Sequence, residues 1–156
     1  MDTLIVIGAK YLIYTVALLA VIATLISERT VRCNIIKLAL LSFPIAFLVS
    51  LIAGALFYDT RPFVVEHITP LIPHAADNGF PSDHTLFAVV AAATVFVYRR
   101  KAGVLLGVLS IFIGVSRVMA KLHYPIDIAG SIVIAIAATC FAWIILKALR
   151  KSRHLR

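Results

Sequence analysis

Five long apolar runs, separated by short polar stretches, set the plan of this chain. The first extends from about Leu4 to Ile26, the second from about Ile35 to Tyr58 and the third from about Thr85 to Tyr98. The fourth runs from Val104 to about Met119 and the fifth from about Ile128 to Leu149. As helices, such runs cross roughly 30 Å of hydrocarbon, where a backbone must satisfy its own hydrogen bonds. The pattern predicts an all-α, polytopic transmembrane helix bundle of five spans, with residues 1–156 as a single domain. The third and fourth runs are short in strictly apolar terms, which puts their polar flanks in the interface or in a protein-lined cavity. Pro44 inside the second predicts a kink. Lys10 either snorkels to the interface or faces the bundle interior. The first run lacks a basic leader and a convincing cleavage site, so it reads as a retained span.

Composition agrees with the pattern. Hydrophobic residues make up 62% of the chain and charged residues 14%, with mean hydropathy +1.04. Soluble domains average about half apolar and about a quarter charged. The net charge of +8 raises the question of nucleic acid, and its distribution answers it. If the spans alternate, one side receives 11 of the 15 basic residues: Arg29, Arg32, Lys37, Arg99, Arg100, Lys101, Lys147, Arg150, Lys151, Arg153 and Arg156. Glu28 is the only acid among them. The positive-inside rule makes that side cytoplasmic, so the amino terminus and the segments 59–83 and 117–127 are outside. The basic excess orients the protein and can touch anionic lipid; nucleic acid is not needed to explain it. Cys33 and Cys140 share no short spacing and read as two buried free thiols.

Four of the five histidines, His67, His74, His84 and His123, fall in the outer segments with Arg61 and Arg117. His154 lies in the basic tail and reads as a solvated side chain. Ionisable residues at membrane depth are functional candidates, and clustering alone fits a proton relay, an anion pathway or a metal site equally well. Finer spacing narrows the choice. Arg61-Pro62, just past the second run, offers either a bidentate fork for phosphate or a headgroup anchor. Pro81-Ser82-Asp83-His84 opens the third run as a well-capped helix start, and a helix start also presents free N–H groups to an anion. Ser116-Arg117 is followed by His123 and Asp127. Pro125 argues against one continuous helix there, so the fourth helix ends before His123 and the fifth begins at about Pro125. Asp127 in that first turn is either a plain helix-start acid or the acceptor for one ring nitrogen of His123. In the second case the other nitrogen is left free as nucleophile or base. No His-x3-His or Cys/His ligand spacing appears.

Together these residues resemble the type 2 phosphatidic acid phosphatase superfamily, whose pattern has three parts: Lys-x6-Arg-Pro, Pro-Ser-x-His and Ser-Arg-x5-His-x3-Asp. The second is met by Pro81, Ser82 and His84, and the third by Ser116, Arg117, His123 and Asp127. The first is met only by Arg61-Pro62, because Gly54 stands where the lysine is usual. Arg61-Pro62-Phe63, the run from Leu71 through His74 to Asp77, and Phe80 to His84 are similar to the bacitracin-resistance branch of bacterial undecaprenyl-diphosphatases. Asp83 and the missing lysine are also features of that branch. Family members commonly have six membrane-associated helices, so five spans imply that a leading amphipathic helix is absent or trimmed.

The resemblance implies a single integral membrane phosphatase domain that needs no cofactor or metal. In that scheme His123, oriented by Asp127, attacks the terminal phosphorus, and His84 serves as acid and then base. Arg61, Ser82, Asp83, Ser116 and Arg117 belong to the substrate-binding side. Lys121 is either a replacement for the missing charge or an interfacial anchor. The implied substrate is a polyprenyl diphosphate, dephosphorylated at the outer face of a bacterial inner (plasma) membrane to recycle the carrier for peptidoglycan synthesis. Another lipid phosphatase and a non-enzymatic lipid or anion transporter are the competing readings, with a vanadium-dependent haloperoxidase a remote third.

Overall fold

The computed structural model describes residues 1–153; His154 and Arg156 lie outside them. The described residues form an all-helical bundle: α1 (Asp2–Leu25), α2 (Arg29–Leu56), a short α3 (Pro62–Val65), α4 (Asp83–Tyr98), α5 (Arg100–Met119) and α6 (Pro125–Arg153). Four of these, α1, α2, α5 and α6, are long and apolar enough to cross a bilayer, and α4 is a shorter apolar helix. The chain is thus a multi-pass membrane protein of about five spans. Helix α2 runs unbroken through Pro44 and α6 reaches Arg153, so both extend past their apolar runs into polar sequence.

The 16 residues of α4 span about 24 Å, less than the hydrocarbon thickness. They suffice because α4 is the central helix, packed against α1, α2, α5 and α6. Eight of its residues, from Thr85 to Val95, are buried. A single residue, Arg99, joins α4 to α5, and Gly103 lets the two close up: a Cβ there would lie 2.3 Å from the Phe96 Cα. Arg99 also donates to the Ala23 carbonyl at 2.9 Å, satisfying an end group of α1.

The bundle interior mixes small and hydroxyl side chains with fully buried Leu38, Leu86, Leu106 and Ile113, while many other Leu, Ile, Val and Phe side chains point outward. Lipid covers those outward faces, so they need no protein cover, and small residues let the helices approach. Several interior hydroxyls are satisfied within their own helices: Thr94, Ser110 and Thr139 each donate to the carbonyl four residues back. The same logic corrects the expectation for the cysteines. Cys33 and Cys140 are free but exposed on the bundle exterior. Lys10 is likewise exposed, its Nζ 5.2 Å from the Tyr11 ring centroid.

Two connections cap one end of the bundle. Residues 57–82 fold over it around Asn78, whose side chain donates to the Gly54 and Phe57 carbonyls and accepts from the Asp59 and Phe80 N–H groups. Residues 120–124 follow α5. Leu122 N–H bonds back to the Arg117 carbonyl and Lys121 N–H to that of Val118, with Lys121 at φ 59°. This is a Schellman turn with lysine where glycine is usual. It delivers His123 to the mouth of the bundle.

Candidate active site

His123 lies between the end of α5 and Pro125, the first residue of α6, and is only 2% exposed. Proline suits a first helical turn, and Asp127 occupies that turn. The interruption expected at Pro125 is therefore present. Asp127 is fully buried; its Oδ2 accepts the Tyr124 N–H at 2.8 Å, and its Oδ1 has no partner.

The ring of His123 is held on both edges. Nδ1 lies 2.8 Å from the Gly79 carbonyl oxygen and 3.5 Å from Asp127 Oδ2. A carbonyl only accepts, so Nδ1 carries the proton and Nε2 keeps its lone pair. That lone pair faces two guanidinium groups: Arg117 Nη2 at 3.0 Å and Arg61 Nη1 at 3.3 Å. Burial, together with those two charges, holds the imidazole below its ordinary pKa against the upward pull of Asp127. At neutral pH the arrangement presents a neutral imidazole with a free Nε2 lone pair beside two fixed cations.

The arginines are anchored by groups distant in sequence. Arg61 donates through Nε to Asp77 at 2.8 Å, through Nη1 to the Leu122 carbonyl at 3.0 Å and through Nη2 to the Asn78 carbonyl at 3.1 Å. Burial alone would lift the Asp77 carboxyl, but the Arg61 bond and charge bring it below its usual range. Arg117 donates through Nη1 to the Ala9 carbonyl of α1, and its Nη2 also lies 3.3 Å from His74 Nε2. Burial and then Arg61 push His74 below its ordinary value, so it too is neutral at pH 7.

These groups line one cavity of about 440 Å³, whose walls include Arg61, His74, Asp83, His84, Arg117 and His123. Asp83 and His84 are the first two residues of α4, so its unpaired N–H groups and positive dipole end are turned to the same space. Two expected substrate-side residues do not line it. Ser82 is the fully buried N-cap residue of α4, and its N–H donates to Ser131 Oγ at 2.8 Å. Ser131 Oγ in turn lies 2.7 Å from the Asp127 carbonyl, tying the two helix starts together. Ser116 faces Gly8 of α1. Asp127 stands behind His123 rather than on the wall.

Several participants were not anticipated. Gly79 supplies the carbonyl for His123, and Asn78 organises the loop. Asn-Gly is a recognisable turn signal, but nothing local says which ring that carbonyl meets. Burial and the nearby Asp127 charge hold the Asp59 carboxyl above its usual range. Lys121, the candidate replacement for the missing lysine, pairs with Glu66 at 2.8 Å on the exposed surface and lies off the cavity wall. At the usual lysine position, Gly54 borders the cavity and its carbonyl holds the Asn78 amide. His67 is exposed at φ 53° and lies off the cavity wall. Among the described residues, no three of His, Cys, Asp and Glu converge as a metal-binding group.

Comparison with known proteins adds independent findings. Residues 35–151 match the model of the PAP2 superfamily. The bacitracin transport permease protein BcrC of Bacillus licheniformis is 32% identical over 136 residues, 86% of this chain and 66% of that protein. The undecaprenyl-diphosphatase BcrC of Bacillus subtilis (strain 168) is 32% identical over 136 residues, 87% of this chain and 70% of its own. YbjG of Escherichia coli (strain K12) is 37% identical over 149 residues, 95% of this chain and 75% of its own. This chain thus spans from about two thirds to three quarters of the length of these relatives. No solved structure matches it.

Proposed function

This chain belongs to the PAP2 superfamily of phosphatases, and from that premise we propose that it hydrolyses undecaprenyl diphosphate to undecaprenyl phosphate through a phosphohistidine. The observation that carries the reading is the lone pair of His123 Nε2 set between Arg61 and Arg117. A diphosphate entering the cavity exchanges those two bonds for bonds to its own oxygens. The terminal phosphorus is then brought to Nε2 by the cations that neutralise it.

In the first step Nε2 forms a bond to the terminal phosphorus and the bridging P–O bond breaks. His84 gives a proton to the leaving lipid phosphate. In the second, His84 takes a proton from water, the oxygen attacks phosphorus, and the P–N bond breaks to release inorganic phosphate. The growing positive charge on His123 is met by Asp127 and by the Gly79 carbonyl. The negative charge on the transferring group is met by Arg61, Arg117 and the start of α4. No step calls on a metal.

The polyprenyl tail stays in the membrane while the diphosphate reaches the cavity. The distribution of basic residues supports a cavity on the outer, periplasmic or extracellular face of a bacterial inner (plasma) membrane. The reading then supplies carrier lipid for cell-wall synthesis, which removal of a phosphate on that face returns to use.

Phosphate release by the purified protein tests this, with undecaprenyl diphosphate, phosphatidate and phosphatidylglycerophosphate compared in one detergent, each with and without chelator. The expected result is the highest kcat/KM on the diphosphate, unchanged by chelator and abolished by orthovanadate. Preference for phosphatidate or phosphatidylglycerophosphate would move the substrate within the family. Lipid binding without phosphate release would favour a transporter.

A further inference from the structure

Helix α1 sends no side chain into the cavity, yet it holds the arginine that faces the nucleophile. Its backbone is α-helical from Asp2 to Leu25 except at Ile7–Tyr11, which form a π-helical turn. A π turn lengthens the bonding step from four residues to five, which displaces carbonyls from the regular ladder, and such turns are frequent at functional sites. Here an outside donor takes up one of them. Arg117 Nη1 donates to the Ala9 carbonyl at 3.2 Å, with both residues buried. Among the described residues this is the one oxygen that the Arg117 side chain donates to; Nη2 faces His123 and His74, and Nε has no partner.

The approach that makes this bond possible depends on Gly8. A Cβ at Gly8 would lie 2.1 Å from Ser116 Oγ and 2.8 Å from Ser116 Cβ. Gly8 against Ser116 and Ala9 against Arg117 are thus consecutive contacts of α1 on α5. The Ala9 methyl also joins Phe63, Ile72, Ala120 and Leu122 in the apolar cluster beneath the outer loops. Crossing a membrane requires neither a π turn nor a glycine at this level, since a plain α-helix spans equally well. The superfamily match begins at residue 35, so α1 lies outside it.

We propose that α1 is a positioning element for phosphoryl transfer: the Ala9 carbonyl, presented by the π turn and brought within range by Gly8, fixes the Arg117 guanidinium where the transferring phosphoryl group needs it. The proposal rests on the phosphatase reading above, because the quantity tuned is the hold of Arg117 on that group. Arginine is long and carries many rotamers, and its fork binds phosphate well only when pre-aimed. The Ala9 carbonyl removes that freedom from the side away from substrate, leaving Nη2 aimed at the reaction centre. Gly8 and Ala9 touch no substrate and act through Arg117.

The test separates positioning from mere folding. Gly8→Ala forces α1 and α5 apart by a methyl group. Misplacing a catalytic group by about 1 Å can lower rate about 100-fold, so kcat per active site should fall at least about tenfold with KM little changed. Inhibition by orthovanadate, which takes the geometry of the transferring group, should weaken in parallel. Adding Ser116→Gly, which removes the atoms the new methyl strikes, should restore kcat to within about threefold. In an Arg117→Lys background the effect of Gly8→Ala should largely vanish, because residues acting through one another are not additive. The proposal is overturned if Gly8→Ala lowers only melting temperature or folded yield while kcat and vanadate inhibition per site are unchanged. It is equally overturned if the loss is as large in the Arg117→Lys background. A wild-type protein that neither releases phosphate nor responds to vanadate overturns the phosphatase reading and this proposal with it. Wild-type activity with no effect of Gly8→Ala overturns this proposal alone.

Discussion

The carbonyl of Gly79 accepts the Nδ1–H of His123 at 2.8 Å, inside the 3.5 Å that separates the same nitrogen from Asp127 Oδ2. The tautomer that leaves Nε2 free is therefore held twice, once by a neutral backbone group and once by a carboxylate. The two supports do different work. The carbonyl orients the ring, and in the proposed mechanism the carboxylate stabilises the positive charge that grows on it.

Dual support changes what is expected of Asp127→Asn. Where an aspartate alone fixes the tautomer of a catalytic histidine, this substitution lowers kcat about 10⁴-fold. With Gly79 still accepting from Nδ1, the loss here should be nearer about 100-fold, the size of an electrostatic contribution. A fall of about 10⁴-fold in steady-state kcat would show that the carbonyl does not hold the ring.

His123→Ala should abolish turnover and leave the fold in place, since the bundle core is assembled from other residues. Brief incubation with phosphate-labelled substrate and an alkaline quench should trap label on the wild type and none on the variant. Residual full activity would remove His123 from the nucleophile role.

The pH dependence has a definite sign. In the proposed mechanism His123 attacks as the neutral imidazole, and burial with the Arg117 and Arg61 charges holds its pKa below the ordinary 6.5. Activity should therefore persist at pH 6, with the acid limb of kcat/KM below 6.5. Asp127→Asn removes the group that pulls this pKa upward, so the limb should move to still lower pH. The same shift works on stability: below 6.5 the unfolded chain binds protons more readily than the folded one, so acid should destabilise the fold until His123 itself protonates. An acid limb above 6.5 would contradict the site's electrostatics.

Arg61 and Asp77 should separate by exposure. Arg61 is 6% exposed and bonded on three sides, whereas the Asp77 side chain is 60% exposed and screened by water. Arg61→Lys cannot reproduce the fork and should lower kcat/KM by at least about 100-fold. Asp77→Asn should alter it no more than about fivefold, an exposed pair contributing about 1 kcal/mol at most. Equal effects in steady-state assays would make the Asp77 pair an essential part of the site.

Lys121→Ala should leave kcat/KM within about twofold, because its ammonium is spent on Glu66 at the surface. A large loss confined to diphosphate substrates would return Lys121 to the cavity as the missing positive charge.

The helix plan was legible along the chain because lipid imposes it locally. Each apolar run must form a helix wherever its neighbours lie, so five runs announce about five spans. The break at Pro125 and the polar start of α4 follow from equally local rules. His84, Arg61, Arg117 and His123 could be picked out by type and spacing, and the fold places all four on one cavity wall.

The rest depended on contacts between segments far apart in sequence. Gly79 reaches His123 across 44 positions and Ala9 reaches Arg117 across 108, each through a backbone carbonyl that no side-chain pattern marks. Ser116, matched by spacing, turns to Gly8 because α5 has two sides and only packing decides which one meets the cavity. Spacing chose the chemistry, since residue type fixes which atoms can attack, donate or carry charge. Tertiary packing chose the geometry, since it alone determines which carbonyl fills each hydrogen bond and how closely two helices approach.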